Sequence, residues 1–437
     1  MLTALIWIVA LVFPKAGLNV GDVPLTVASV VVMVYGAFHF VYPGYPPRRR
    51  DESRRFTRVH LGLGWILILS LVANLGSLDT VDLTTWLLLV GSPLAFHAGL
   101  RTKNTKRVLV VVLGSTAVVG FYGLAQNLFG VSETAVPGLT HIYGEDLIRN
   151  NPIRTASGTL KSPSFYHNGN LAAAFLLSGL GFALFASRVD RRLRGLAVLA
   201  LLGAVIGVAV SLARAGALGF VVAALIALSP RYRPPWIASR AAGVASVLFV
   251  AAGAMLLGYI LTGSTTFLVE RYVFESLDDP TAAGRTDGYA AWWSDLTSQS
   301  FFEFFRSVIF GDWSINPVED QLEGIPAIVA SYGVFGLMAM VALVAVPFRM
   351  IREALGSEGT VYWFGLAATA AMWLIDNTFL FPPTLMTWFL LAGLTVQISI
   401  DKAATQRPDL NEHKGSSANT PAELRSRSSR LDEVSAS

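Results

Sequence analysis

Residues 108–129, VLVVVLGSTAVVGFYGLAQNLF, contain no charged side chain and are long enough to cross a bilayer as one helix. A hydrocarbon core of about 30 Å needs roughly 20 apolar residues per helix. Similar runs recur along the chain, and they lack the alternation of barrel strands, so they must satisfy their backbone groups as helices. This stretch therefore predicts an all-α fold, that of a polytopic membrane protein.

The composition agrees with this class. The chain has 437 residues, 53% of them hydrophobic and 14% charged, and its mean hydropathy of +0.55 is too high for a soluble domain. It contains no cysteine, which excludes disulfides, thiolate nucleophiles and cysteine metal sites. The sequence pI of about 9.3 does not indicate a nucleic-acid partner, because the basic residues lie in short loops between apolar runs.

About twelve transmembrane helices are predicted, without an internal repeat. The predicted spans are residues 2–14, 22–42, 59–76, 84–100, 108–129, 165–186, 195–212, 215–229, 241–262, 323–346, 360–379 and 384–400. With the N-terminus inside, 25 of the 33 Lys and Arg residues fall on the cytoplasmic side. They lie in the loops 46–58, 101–107, 187–194, 230–240 and 348–359 and in the C-terminal tail. This bias predicts an even number of spans with both termini in the cytoplasm.

Two long loops fall on the outer side, at about 130–164 and 263–322. In the second, SDLTSQSFFEFFRSVIFGDW (294–313) mixes apolar and polar residues, which predicts either an amphipathic helix along the interface or an ordinary loop helix. Residues 1–400 are thus predicted to form one membrane domain. Residues 401–437, rich in Ser, Arg, Glu and Asn, are predicted to be a disordered cytoplasmic tail.

Arg214 is the sharpest single observation in the sequence. It lies in VAVSLARAGALGFVV (208–222), where the flanking spans leave almost no room for a loop. Arginines at such a depth usually face a cavity on a substrate path, although this one could also reach the outer interface or form a structural ion pair. A guanidinium binds phosphate oxygens through two parallel hydrogen bonds, so the predicted substrate is an anion.

The second outer loop combines arginines with many acidic residues. Arg285 opens RTDGYAAWW (285–293), where a helix start would place it about two turns from the Trp pair. Glu319, Asp320 and Glu323 lie where the chain re-enters the membrane. A carboxylate at an apolar boundary tends to have a raised pKa, as a general base requires, but acids there could also only cap the next helix.

The first outer loop ends in RTASGTLKSPSFYHNGNLAAAF (154–175), a polar and partly basic stretch. Its candidate substrate-binding residues are Arg154, Lys161, His167, Asn168 and Asn170. His167 could act as an acid or base, and the asparagines could bind sugar hydroxyls. The alternative is that these residues only make hydrogen bonds at the helix start, where Asn is an ordinary capping residue.

These fragments, in this order, resemble the superfamily of O-antigen ligases and O-antigen polymerases, which are bacterial envelope glycosyltransferases. FPKAGLNVGDVPLTVASVV (13–31) is similar to the family's opening, 154–175 to its loop before the sixth span, and SLARAGAL (211–218) to its arginine-bearing turn. RTDGYAAWW and YGVFG (332–336) complete the order. The resemblance covers nearly the whole membrane region.

The resemblance implies a GT-C-like membrane enzyme whose donor is a glycan linked to polyprenyl diphosphate. Arg214 and Arg285 would clamp the diphosphate, and a base among Glu319, Asp320 and Glu323 would activate an acceptor sugar hydroxyl, with inversion at the anomeric carbon. Arg271 and Trp292 would contribute to substrate binding. The implied place is the outer side of the bacterial cytoplasmic membrane. The implied partners are the donor, a glycan acceptor and membrane lipids, with a chain-length regulator left open.

Ligases of this family typically carry a histidine before the tyrosine and glycine motif, and this chain has none between His167 and His413. This departure favours a polymerase of lipid-linked repeat units over a ligase. No nucleotide-binding or zinc motif is present, and neither a metal nor another cofactor is predicted.

A transporter or flippase of the same lipid-linked sugars is the alternative of another class. It would need polar groups in the cytoplasmic half, whereas the assigned spans place nearly all buried charge in the outer half.

Overall fold

A computed structural model describes most of the membrane region. The described residues are 2–20, 23–42, 47–76, 87–143, 161–228, 285–313, 315, 320 and 322–406. The predicted span 241–262 lies outside them, as do most of the predicted tail and parts of both long loops.

The described part of the chain is all-α apart from one hairpin. Its α-helices are α1 (Leu2–Val12), α2 (Val27–Val41), α3 (Pro47–Ala73), α4 (Leu94–Leu100), α5 (Thr105–Phe129), α6 (Val131–Thr134), α7 (Gly169–Val189), α8 (Arg194–Ser211), α9 (Arg214–Leu228), α10 (Arg285–Ser298), α11 (Phe301–Phe310), α12 (Gly324–Leu355), α13 (Thr360–Met372) and α14 (Pro382–Gln406). Short 3-10 turns occupy Arg191–Leu193, Gly356–Gly359 and Asn377–Leu380.

Among the described residues, six helices are long and apolar enough to cross a membrane. They are Arg50–Ala73, Thr105–Phe129, Gly169–Ala186, Arg191–Ser211, Gly324–Leu355 and Pro383–Gln406. Four shorter apolar helices accompany them, at Thr3–Val12, Val27–Val41, Leu87–Leu100 and Thr360–Met372. The prediction of an all-α chain with several membrane spans is confirmed at this level.

The short basic loops meet at one end of the bundle, which we call the basic end. Lys106 Nζ lies 3.2 Å from Asp190 Oδ2 and joins the first turn of α5 to the residue that follows α7. Arg55 Nη1 lies 2.6 Å from Glu353 Oε2 and joins the first turns of α3 to the last turn of α12. Because α7, α12 and α14 all begin at the other end, this second end collects the outer segments, and we call it the junction end.

The second predicted span differs in its first residues. An antiparallel hairpin, β1 (Gly17–Val20) and β2 (Val23–Thr26), precedes the helix, whereas the sequence predicted a span from residue 22. The hydrogen bonds between the two strands satisfy the backbone N–H and C=O groups of these residues, so they need no helix. The helix α2 begins after Thr26, whose hydroxyl accepts a hydrogen bond from the backbone N–H of Ser29 at 3.2 Å.

The predicted span 360–379 is wrong beyond Met372. α13 ends there, and Asp376 caps the following 3-10 turn by accepting the backbone N–H of Thr378 at 3.0 Å. A side-chain carboxylate that binds nearby backbone N–H groups competes with helix continuation. Asp376 therefore lies in the connection between α13 and α14 and not inside a span.

The last helix is longer than predicted. α14 continues past Asp401, where the sequence predicted the start of a disordered tail. Gln397 Nε2 donates to Asp401 Oδ2 at 2.6 Å, one turn along the helix. Lys402 Nζ donates to the Tyr362 hydroxyl at 3.0 Å and holds the last turns on α13. The tail prediction is thus wrong for residues 401–406.

α14 is the centre of the bundle, and its residues 383–400 are all buried. It crosses α4 at two glycines, one on each helix, and each glycine faces the backbone of the other helix. A Cβ atom on Gly99 would stand 2.1 Å from the carbonyl oxygen of Leu390, and one on Gly393 would stand 2.1 Å from that of Phe96. Only glycine allows so close an approach of two helices.

Candidate functional site

Arg214 is the first residue of α9, directly after a tight turn. α8 ends at Ser211, Leu212 adopts a left-handed conformation with φ of 50°, and α9 begins two residues later. The Ser211 hydroxyl donates to the Val208 carbonyl at 2.7 Å and accepts the N–H of Ala213 at 3.3 Å. The prediction that almost no loop separates these spans is confirmed.

The position of Arg214 favours an anionic ligand. A cation in the first turn of a helix faces the positive end of the helix dipole, which is unfavourable by roughly 0.3–1 kcal/mol. An anion placed there would be attracted by the guanidinium and by the backbone N–H groups of the same turn. The side chain is half-buried, so such an anion would be partly shielded from water.

The stretch before α7 lies against this turn. Ser162 N donates to the Val210 carbonyl at 3.3 Å, and a Cβ atom on Gly169 would stand 2.3 Å from the Ser211 carbonyl oxygen. Gln126 of α5 fixes the same stretch, because its amide oxygen accepts the N–H of Ser164 at 2.7 Å. Lys161, which is half-buried and precedes Ser162, is therefore held beside the Arg214 turn.

The polar residues at the start of α7 hold that helix in place. Asn168 Oδ1 caps α7 by accepting the N–H of Leu171 at 2.9 Å. His167 stacks on Phe381, with ring centroids 5.8 Å apart. Asn170 Nδ2 donates to Asp376 Oδ2. Asn168 thus has the capping role that the sequence allowed as an alternative, and Asn170 connects α7 to the segment before α14.

Asp376 and Asn377 form a bridge that the sequence analysis missed. The Asp376 side chain is 4% exposed and accepts from both Asn170 and Thr378. Asn377 Oδ1 accepts the N–H of Gly324 at 3.1 Å, and its amide group donates to the Leu322 carbonyl. The two residues join the start of α7 to the start of α12. Their only sequence signal was an acid and an amide in an otherwise apolar stretch.

The helix α10 docks on the start of α12. It extends over Arg285–Ser298, and the Tyr289 hydroxyl donates to the carbonyl of Glu323 at 3.2 Å. Trp292 is half-buried and packs on a small apolar cluster formed by Leu322, Ala327 and Ala330. Glu323 is half-buried at the N-cap position of α12, whereas Asp320 is exposed.

The structure therefore brings most of the described candidate residues to the junction end. We call the connected set the polar junction: Lys161, His167, Asn168, Asn170, Arg214, Tyr289, Trp292, Glu323, Asp376 and Asn377. Arg285 begins the helix that docks on this set. The candidates Arg154, Arg271 and Glu319 lie outside the described residues.

Removing the Asp376 carboxylate is expected to destabilise the junction. The change Asp376→Ala leaves the Asn170 amide and the Thr378 N–H without their acceptor, so the free energy of unfolding should fall by about 2 kcal/mol. The measurement is the thermal midpoint of the detergent-solubilised protein, followed by tryptophan fluorescence. Asp295→Ala, on an exposed position of α10, is the matched control and should leave the midpoint unchanged. Equal midpoints for both variants would contradict the bridge.

Three buried histidines lie at the basic end, where the sequence analysis expected little buried polarity. His39, His60 and His97 come from α2, α3 and α4, and each is buried. His60 Nε2 is 2.7 Å from the Val90 carbonyl oxygen, and His97 Nδ1 is 3.2 Å from the Ser53 hydroxyl. In the described part of the chain they do not form a metal-binding group. Each histidine is isolated in sequence, so no motif indicated the cluster.

The comparisons with family models and with curated proteins found no relative of this chain. No family model matches the chain, and no curated protein matches it. The resemblance to the O-antigen ligases and polymerases thus rests on the quoted fragments alone. It stays a prediction.

Proposed function

We propose that this protein is a metal-independent glycosyltransferase that polymerises lipid-linked oligosaccharide repeat units into O-antigen, capsule or exopolysaccharide. The observation that carries the proposal is the Arg214 turn, a guanidinium at a helix start inside a junction of polar side chains. A diphosphate is the anion that best fits such a group at a membrane boundary. Lys161, held beside the turn, adds a second positive charge.

In the proposed reaction an acceptor sugar hydroxyl attacks the anomeric carbon of the donor. The bond from that carbon to the diphosphate oxygen breaks, and the polyprenyl diphosphate leaves with the electron pair. Arg214 and Arg285 stabilise the charge that develops on the leaving group. A carboxylate takes the hydroxyl proton on the face of the anomeric carbon opposite the diphosphate. Attack from that face inverts the configuration of the anomeric carbon.

Glu323 is the preferred base among the three acids. Its backbone carbonyl is bound by Tyr289 and its side chain is half-buried at the start of α12, whereas Asp320 is exposed. A base must be held at a fixed place relative to the leaving group, and the bridge formed by Asp376 and Asn377 ties the start of α12 to the start of α7. Glu319 remains the alternative in the same segment.

The proposed orientation places the polar junction on the outer side of the bacterial cytoplasmic membrane. It includes about twelve spans in a GT-C-like arrangement and both termini in the cytoplasm. The charge bias of the loops supports it, and so do the ion pairs Lys106–Asp190 and Arg55–Glu353, which gather those basic loops at the end away from the junction.

Two other functions use the same junction. A ligase would move a finished glycan to lipid A-core or another acceptor with the same leaving group. A transporter or flippase is favoured by one observation, the buried histidines His39, His60 and His97, because a path across the membrane needs polar groups at both ends.

A product ladder separates the three functions. Purified protein in lipid nanodiscs is incubated with polyprenyl-diphosphate-linked repeat units, and the glycans are resolved by gel electrophoresis. We expect products that lengthen by one repeat unit at a time, because each product is again an acceptor. A single transfer that requires an added acceptor would indicate a ligase. Unchanged glycans, with a change of leaflet in proteoliposomes, would indicate a flippase and would overturn the proposal.

A further inference from the structure

The helix α11 exposes three of its phenylalanines, whereas its one buried side chain, that of Ser307, is polar. Phe301, Phe302 and Phe305 are 69%, 84% and 47% exposed. On the inner side, Ser307 is buried and donates to Gln299 Oε1 at 3.0 Å. A surface helix of a soluble protein turns its apolar stripe to the core, so this arrangement is the reverse of what water would favour.

The end of α11 is fixed to the last turn of α3. Trp313 Nε1 donates to the Ser70 hydroxyl at 2.8 Å, and Asn74 Nδ2 donates to the Gly311 carbonyl at 3.2 Å. Arg306 Nη1 donates to the Ala73 carbonyl at 3.3 Å. Because α3 is a candidate membrane span that ends at Ala73, these bonds place α11 at the level where that span leaves the bilayer.

The start of α11 is capped by its own residues. Ser300 and Glu303 form a capping box, in which each side chain binds the other residue's backbone N–H. Hydrogen bonds from the Ser300 hydroxyl and backbone N–H hold the pKa of Glu303 below its usual range. The helix therefore begins at a defined residue, and the bonds to α3 set the direction in which its phenylalanines lie.

We propose that α11 is an interfacial helix whose Phe301, Phe302 and Phe305 insert into the lipid of the leaflet at which α3 ends. The occupant of this face is lipid because the helix is bonded to the end of a membrane span, whose last turns themselves expose Leu69 and Val72. The three phenylalanines also offer no hydrogen-bonding group to a protein partner.

The consequence is a membrane anchor for the second outer loop. α11 follows α10 after two residues, so the insertion of its phenylalanines limits how far α10 can move from the bilayer. The anchor does not depend on which reaction the polar junction performs. It would hold for a polymerase, a ligase or a transporter alike.

Spin labelling tests the proposal cleanly, since the natural chain contains no cysteine. The single substitutions Phe301→Cys, Phe302→Cys and Phe305→Cys are labelled in the full chain in lipid nanodiscs. Collision rates with oxygen, which concentrates in lipid, and with a water-soluble nickel chelate are then measured. Leu69→Cys is the lipid-exposed reference, and Thr297→Cys, on an exposed position of α10, is the water reference.

We expect an oxygen-to-nickel ratio at the three phenylalanine positions that is severalfold higher than at Thr297→Cys and close to that at Leu69→Cys. A ratio equal to the water reference would show that the face is solvated and would overturn the proposal. Low collision rates with both reagents would show a protein covering the face, and would overturn it in favour of a partner or a second copy of the chain.

Discussion

Arg214→Ala is expected to lower the rate of glycan extension by about 100-fold or more, with the protein still folded and inserted. The charge on the departing diphosphate would lose a fixed donor in a partly buried place, and removal of one such donor typically costs roughly 2.7–4 kcal/mol of transition-state stabilisation. The measurement is the initial rate of the product ladder. Arg214→Lys keeps the charge but loses the bidentate hydrogen bonding of the guanidinium. Its rate should therefore lie between those of the natural chain and of Arg214→Ala.

The control for this prediction is Arg192→Ala. Arg192 is an exposed arginine at the basic end, so its loss should leave the ladder unchanged. Thermal midpoints of all variants must agree with that of the natural chain, since α9 begins at Arg214 and a local unfolding would also stop catalysis. An Arg214→Ala protein that extends glycans at the natural rate would refute the diphosphate clamp.

The spans that the sequence predicted well are those with a uniform apolar run and a clear signal at each end. The run 108–129 corresponds to α5, Thr105–Phe129, whose start is capped by Asn104. The break between α8 and α9 was also predictable, because a guanidinium interrupts two apolar runs at Arg214. In both cases the decisive information is local.

The polar junction could be predicted only in part, because its contacts join distant segments. Asn170 and Asp376 are 206 positions apart, and nothing in the periodicity of either segment indicates the other as its partner. Hydropathy even assigned Asp376 to a span, since one acid among apolar neighbours barely changes the average.

The kink in α12 is another feature that hydropathy could not reveal. The run from residue 323 reads as one continuous span, yet Gly333 has φ of 69° and ψ of 179° and interrupts the helix. The end of α11 fits into this interruption. A Cβ atom on Gly333 would stand 2.1 Å from the Ile309 carbonyl oxygen, and one on Gly311 would stand 2.3 Å from Ser331.

Gly333→Ala is therefore expected to destabilise the protein by about 3 kcal/mol or more. A side chain at this backbone conformation is strained by roughly 1–3 kcal/mol, and the clash with a backbone carbonyl adds to that strain. The measurement is the thermal midpoint, with the folded fraction after heating checked by size-exclusion chromatography. Gly62→Ala in α3 is the matched control, because an added Cβ there meets nothing within 4 Å. A Gly333→Ala midpoint as high as that of the control would contradict the interlock.

The double variant Gly311→Ala with Gly333→Ala should cost less than the sum of the two single changes. Each glycine meets the backbone next to the other, so the first substitution already separates α11 from the kink, and the second then finds space. The hydrogen bond from Asp312 N to the Ala330 carbonyl, at 2.7 Å, would be lost in either single variant. If the loss of stability in the double variant equals the sum of the losses in the two single variants, the glycines act on separate parts of the fold. Non-additivity would show that one contact ties the second outer loop to the span that carries Glu323.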